Sequence, residues 1–400
     1  MWSKKYGRLG AALAMSGLLT LTAACGGGGA GGDDEFLIGG FGALTGPVAG
    51  WGESQRNGAQ LAVEDINKRG DLDVELKMVY EDDACDPAGA QAVFRRLADR
   101  EGADILMGGA CTASALAMAK LADGDGMVYV SPTATTREMH QPPLKHVFST
   151  QVDATTEAHE LVRMALETYK PKTVGFMYNS NDYGIAAVKS AKEALKEQAP
   201  DVTIAPEAGF PEGTSEFTSG LIKLRDAKPD VVFAVGVGSD LGPMIRSARK
   251  LGIDAELVGF SSLFTTETIR TAGKLLDNVT GFFYTPVRVA SDSEDKEVAD
   301  LTKRYKEKYG EWPDGIALQG YEGVLVIAEA IKKLDGDEPT PENLVKALES
   351  IKNFDVKTRK PITFGPNDRE GATEGVLMKL LPGREETTSL WGNFEIVATE

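Results

Sequence analysis

The sequence predicts an α/β protein of two Rossmann-like lobes, each a parallel sheet flanked by helices. Three observations carry this. Short apolar runs alternate with amphipathic stretches from Phe36 onward, the pattern of strands joined by crossover helices. The alternation pauses at Pro142-Pro143 and then starts again. A chain of 400 residues, 42% of them apolar, is long enough to bury sizeable cores without staples.

The elements follow in order. "FLIGGFGAL" reads as a buried strand. "GESQRNGAQLAVEDINKRG" reads as a helix, with Ala59, Ala62, Val63 and Ile66 at helical spacing and Gly70 as its stop. Strand "VELKMVY", helix "AGAQAVFRRLADREG", strand "DILMGG", helix "TASALAMAKLADGDG" and strand "MVYVSP" complete the first series. The second opens with strand "HVFSTQV" and helix "TTEAHELVRMALETYK". It continues through strand "KTVGFMYN", helix "IAAVKSAKEALKEQ", strand "VTIAPEAGF", helix "TSEFTSGLIKLRDAK", strand "DVVFAVG", helix "GPMIRSARKLG" and strand "ELVGF". "NVTGFFYTPV" adds a strand. Helices "SEDKEVADLTKRYKEKYG", "GYEGVLVIAEAIKKLDG" and "TPENLVKALES" come next, then strand-like "PITFG" and "GVLMKLL". These late helices have no sheet of their own, so the chain is expected to cross back and complete the first lobe. The expected boundaries are 36–150 with 286–362 for the first lobe, and 151–285 with 363–400 for the second.

Residues 1–24 form a separate object. Lys4, Lys5 and Arg8 precede the apolar run "AALAMSGLLTLTAA", which has the length of a signal-peptide core and is too short to span a bilayer. "LTAAC" resembles a bacterial lipobox with Cys25 as the lipidated residue, although Thr22 stands where leucine is usual. An ordinary signal peptide cut at A-x-A-like residues is the alternative. "GGGGAGGDDE" then gives a Gly-rich tether over 25–35, as a membrane-anchored domain needs. The protein is thus expected to be exported and lipid-anchored on the extracytoplasmic face.

Three cysteines occur in all. With Cys25 assigned to lipid, Cys85 and Cys111 remain as an even pair in an oxidising compartment, and a disulfide is expected. Two buried thiols are the alternative. A bridge closing a loop of about 25 residues stabilises by roughly 3 kcal/mol in the chain-entropy picture.

The formal net charge is −17, which argues against nucleic acid, since phosphate binding needs a basic face. Enzyme signals are weak. His140, His146 and His159 lack metal-ligand spacing and read as structural. Asp82-Asp83 reads as a loop cap beside Cys85. "GVGSDLG", Gly236–Gly242, is an imperfect dinucleotide fingerprint, and the acidic residue expected after the next strand is missing. A dinucleotide enzyme is therefore the disfavoured reading, and no cofactor or metal is expected.

The helix starts are more informative. Free first-turn N–H groups and the macrodipole hold anions. Cys111, Thr112 and Ser114 stand at such a start, and Thr133, Thr135 and Thr136 follow "MVYV". Singly, each reads as a cap or turn residue. Together they end parallel strands of one lobe and belong on one sheet edge. Trp51 follows the first strand and joins them. Tyr183, in "NSNDYG", follows a strand of the second lobe and can close over the cleft.

"IGGFGALTGPVAGWGESQRNGAQLAVEDIN", "EDDACDP", "GGACTASALA", "VSPTATT" and "NDYG" resemble the leucine/isoleucine/valine-binding proteins of ABC importers, which are type I periplasmic-type binding proteins. The resemblance runs in order from about Ile38 to Gly375. It implies two lobes joined by three crossovers, the Cys85–Cys111 bridge, and a ligand trapped between the lobes. By matched motif it also implies that Thr112 and the amides near Thr112 and Thr135 hold a carboxylate. The Thr133 carbonyl and Thr135 hydroxyl would take an ammonium, and Trp51 and Tyr183 would flank the ligand. Two positions depart from the family. Ser261 and Ser262 stand where an acid usually pairs the ammonium, and Val237-Gly238 stand where an aromatic is common. Either Asp240 or Glu322 supplies the acid, or the ligand is not an α-amino acid, because a buried ammonium without a counter-charge is costly. The expected protein is a monomeric, non-enzymatic substrate-binding lipoprotein that presents a small carboxylate, most readily a branched-chain or related amino acid, to an ABC permease. A sensor of the same fold, or a binder of another organic acid or amide, is the alternative.

Overall fold

A computed structural model of the chain describes residues 35–134, 136–237, 239–285, 289–371, 375–383 and 388–399. Residues 1–34, on which the expected signal segment, Cys25 and the expected tether fall, lie outside the described residues, as do Thr135 and Gly238.

The first sheet is built from β1 (Glu35–Gly42), β2 (Glu75–Asp82), β3 (Ile105–Gly108), β4 (Tyr129–Ser131) and β5 (Val147–Ser149). Its order is β2-β1-β3-β4-β5, and every pairing is parallel. The connecting helices are α1 (Ala49–Arg69), α2 (Pro87–Arg95), α3 (Thr112–Asp125) and the short α4 (Arg137–His140). Strands β3, β4 and β5 are buried along their whole length, as a sheet covered on both faces requires. The strand expected to open the second series is in fact β5, the edge of this first sheet.

The second sheet contains β6 (Thr173–Asn179), β7 (Thr203–Ile204), β8 (Ala208–Phe210), β9 (Val231–Val235), β10 (Glu256–Gly259) and β11 (Thr280–Phe283), joined by α5 (Ala154–Tyr169), α6 (Asp182–Gln198), α7 (Thr218–Ala227), α8 (Leu241–Lys250) and α9 (Thr266–Ala272). The chain then returns to the first sheet with α10 (Lys296–Tyr309), α11 (Gly315–Lys332) and α12 (Pro341–Glu349). It ends in the second sheet with β12 (Val376–Leu380) and β13 (Phe394–Thr399), both antiparallel to their neighbours. The order is β13-β12-β11-β10-β9-β6-β7, with β8 also on β6. "VTIAPEAGF" is therefore two short strands rather than one, broken around Pro206, which cannot donate to a ladder. "PITFG" is not a strand; Ile362 makes only an isolated bridge to Phe354.

The third crossover lies later than residue 362. Ser149 N–H donates to the Arg369 carbonyl at 2.8 Å, and Gly371 N–H donates to the Ser149 carbonyl at 2.7 Å. These bonds hold the chain on the first sheet to Gly371. Among the described residues, no helix is long and apolar enough to cross a membrane.

Candidate ligand-binding site

Both sheets reverse their winding direction, the first between β1 and β3, the second between β6 and β9. Such switch points open crevices at the carboxyl ends of the strands. The two crevices face each other and enclose a cavity of ≈ 290 Å³. This is near the lower end of small-molecule sites. Trp51, Cys111, Thr112 and Thr133 line it from the first lobe, and Tyr183, Val237, Ser261 and Ser262 from the second. Ala43, Val48, Trp51, Ala110 and Ile316 pack with Val237 into one apolar cluster, so the lobes meet beside the cavity.

The floor on the first lobe is the start of α3. Gly108 and Gly109 turn the chain from β3 into this helix with φ of 137° and 91°, values that favour glycine. A Cβ on Gly108 would stand 2.0 Å from the Phe41 carbonyl oxygen. Cys111 is the N-cap and makes no side-chain capping bond. The first turn of α3 lines the cavity without a side-chain cap, an arrangement that can accept an anion. Cys111 is joined to Cys85 by a disulfide, with Cα atoms 5.4 Å apart. Asp82 accepts from the N–H groups of Leu44 and Ala84, each at 2.8 Å, and Asp83 accepts from Cys85 N–H at 2.9 Å. The acidic pair thus caps the loop that carries the bridge.

Thr133 is held by a relay that sequence reasoning missed. The Tyr80 hydroxyl donates to Gln55 Oε1 at 2.7 Å, and Gln55 Nε2 donates to Thr133 Oγ1 at 2.8 Å. With that oxygen accepting from Gln55, the hydroxyl hydrogen of Thr133 is left to donate elsewhere.

The wall on the second lobe centres on Glu157. Its side chain is buried, at 3% exposure, yet it lines the cavity. Ser261 N–H donates to its Oε1 at 2.6 Å. The Ser261 hydroxyl donates to Oε2 at 3.1 Å and the Tyr284 hydroxyl at 3.0 Å. Burial pushes the carboxyl pKa up, and the bonds from Ser261 and Tyr284 pull it partly back. The Tyr183 hydroxyl lies near Ser261 and Ser262 without a hydrogen bond of good geometry. Trp51 Nε1, the Ser262 hydroxyl and Gln319 Oε1 are also buried, line the cavity, and have no partner among the described residues. Buried polar groups are rarely left unpaired, so these atoms have hydrogen-bonding capacity to offer a ligand.

The sequence matches the family described as "Periplasmic binding protein" over residues 35–384. The chain belongs to this family. The binding protein is 28% identical over 348 residues to a leucine-, isoleucine-, valine-, threonine- and alanine-binding protein of Pseudomonas aeruginosa, covering 86% of this chain and 88% of that one. Its fold is that of the branched-chain amino acid transporter substrate-binding protein LivJ of Streptococcus pneumoniae in complex with isoleucine. The TM-score is 0.77 at 22% identity, over 89% of this chain and 99% of LivJ. A Rhodopseudomonas palustris ABC transporter solute-binding protein in complex with benzoate matches as well, at TM-score 0.77 and 21% identity, over 91% and 96% of the two chains. The architecture is thus the type I periplasmic binding protein fold.

Neither acid expected to face a ligand ammonium reaches the cavity of the binding protein. Asp240 is 4% exposed and ties neighbouring segments together: it accepts from Asn179 Nδ2, at the end of β6, at 2.9 Å and from Gly213 N–H, after β8, at 2.8 Å. Glu322 is paired with Arg359 at 3.1 Å, both side chains buried, and also accepts from the Thr358 hydroxyl. Arg359 in turn donates to the Thr150 carbonyl, so this pair ties α11 to the crossovers. Glu157 is the buried acid that the cavity does contain. One sequence signal pointed to it. On α5 it shares the buried stripe with Ala158, Leu161, Val162 and Ala165, and an ionisable residue at such a position needs a reason.

Proposed function

We propose that this protein is the ligand-binding component of an ABC importer, lipid-anchored through Cys25 on the extracytoplasmic face, and that it captures a small amino acid between its lobes. The carrying observation is the cavity between the two lobes, with the uncapped start of α3 on one side and unpaired polar side chains around it. The first lobe takes the carboxylate with the α3 N–H groups, Thr112 and Thr133. Trp51 and Tyr183 cover the apolar part of the ligand. Several relatives are amino-acid-binding proteins by name, which supports the ligand class. Closure is favoured to the extent that the ligand binds the closed form more tightly than the open one. The closed lobes are then presented to the permease, and the tether keeps them near it.

A thermal-shift screen of the mature protein against the common amino acids and a set of aromatic acids tests this reading. At ligand concentrations near 100 times the dissociation constant, binding adds roughly 2.7 kcal/mol. At least one amino acid is expected to raise the melting temperature. A response confined to aromatic acids replaces the ligand class, and no response to either removes it.

A further inference from the structure

We infer that Glu157 is the ligand's counter-charge, reaching the ammonium from the second lobe while the first lobe holds the carboxylate. The inference rests on the proposed binding function and names the residue that sets its specificity.

Four observations converge on Glu157. It is the buried carboxylate in the cavity wall, at 3% exposure. Among the described residues, no lysine, arginine or histidine lines that cavity. Three other buried acids do not line it and have partners of their own. Glu322 faces Arg359, Asp314 caps α11 through Ala317 N–H at 2.9 Å, and Asp240 accepts from Asn179 and Gly213. Among the described residues Glu157 has three donors and no cation, and a buried carboxylate without one is costly. A ligand ammonium removes that cost.

The donors also explain why the acid sits here. Ser261, at the end of β10, binds Glu157 through both its N–H and its hydroxyl. Tyr284, just past β11, adds the third bond. Three bonds leave a carboxylate with unused acceptor capacity, since its two oxygens carry about four lone-pair sites. They fix the side chain in the cavity wall with part of that capacity unused. The charge comes from α5, and the tip of β10 contributes the serine that orients it.

The ligand class follows. A pocket with an anion site on one lobe and an uncompensated acid on the other suits a zwitterion that bridges both lobes. It rejects the same molecule without its amino group, because the acid would then face a carboxylate-bearing ligand with nothing to neutralise it. Asp182 and Glu212 line the cavity and are exposed, which adds no positive charge.

The test uses calorimetric titration of the mature protein with L-leucine, L-valine, L-alanine and L-phenylalanine. Each is run beside the acid lacking its amino group: 4-methylpentanoate, 3-methylbutanoate, propanoate and 3-phenylpropanoate. For the amino acid that binds tightest, the deaminated partner is expected to bind at least 100-fold more weakly. Glu157→Gln is expected to weaken the amino acid at least tenfold and to narrow that gap. Equal binding of the pair to wild type, or an unchanged gap in Glu157→Gln, overturns the inference and leaves the binding function standing. Where another common amino acid binds instead, it and its deaminated partner form the deciding pair; if none binds wild type, the functional reading fails and takes the inference with it. Should Glu157→Gln not fold, the wild-type comparison still decides.

Discussion

Thr133 shows how a side chain acquires direction from residues far away in sequence. A hydroxyl can donate or accept, but Gln55 occupies its oxygen and Tyr80 fixes the amide of Gln55. The hydroxyl hydrogen is thereby left to donate, and in the proposed site it donates to the ligand carboxylate. Thr133→Val keeps the shape and removes the donor. A hydrogen bond to a charged group contributes about 1.5–3 kcal/mol, so ligand affinity is expected to fall at least about tenfold. Calorimetry reads the loss, and an unchanged melting temperature of the ligand-free variant shows that the fold is intact. Equal affinity in wild type and variant would exclude Thr133 from the site.

At the scale of elements, the site depends on how closely α1 and α11 approach. A Cβ on Gly58 would stand 1.8 Å from the Ala317 carbonyl oxygen, and one on Gly320 would stand 2.2 Å from that of Gln55. This contact sets Trp51 and Gln55 of α1 beside Ile316 and Gln319 of α11. Asp314 pins the start of α11 to both lobes: Ser54 of α1 donates at 3.3 Å, and Thr266 of α9 donates through its N–H at 2.9 Å and its hydroxyl at 3.0 Å. Gly58→Ala must therefore push the helices apart. Overpacking of this kind costs about 1–3 kcal/mol. Urea denaturation is expected to show that loss, and ligand affinity is expected to drop with it as Trp51 and Gln55 shift. A variant as stable as wild type would mean that this helix pair is looser than its geometry indicates.

For the whole molecule, two titrating groups near the ends of the first sheet contribute to its response to pH. Asp153 N–H donates to Glu370 Oε1 at 2.9 Å, so the first and third crossovers are tied together. Burial, reinforced by the Asp153 charge, raises the Glu370 carboxyl to about 7. His140, 2.9 Å from the Ser149 hydroxyl, is held by burial at about 4. The two act in opposite senses. The folded chain keeps a proton on Glu370 that the unfolded chain releases near its ordinary value, so this contribution is present below about pH 4.5 and is lost as pH rises to about 7. The unfolded chain protonates His140 below about pH 6.5 while the folded chain does not, so stability falls as pH drops from there towards 4. In Glu370→Gln the first effect is gone. Its stability advantage over wild type is expected to grow between pH 4.5 and 7, by up to about 3 kcal/mol, in urea titrations at several pH values. A constant difference across that range would show that Glu370 titrates normally.

The sequence by itself determined the alternation of strands and helices, the expectation of a Cys85–Cys111 bridge that the structure bears out, and the residues that follow each strand. Trp51, Thr112, Thr133 and Tyr183 were legible as a group because parallel strands deliver their carboxyl ends to one edge, whatever the details of packing. The late return of the chain to the first lobe was also legible, because the helices around 296–349 had no strands to cover. Only the tertiary structure decided which acid faces the cavity. Asp240 and Glu322 stand near plausible loops in the sequence, yet both turn towards partners of their own. Glu157 reads as one turn of an amphipathic helix, and nothing local shows that Ser261, more than a hundred residues later, turns it into the site. Strand order follows from a repeating pattern that each segment carries internally. The direction of a single buried charge depends on donors brought together by long-range packing.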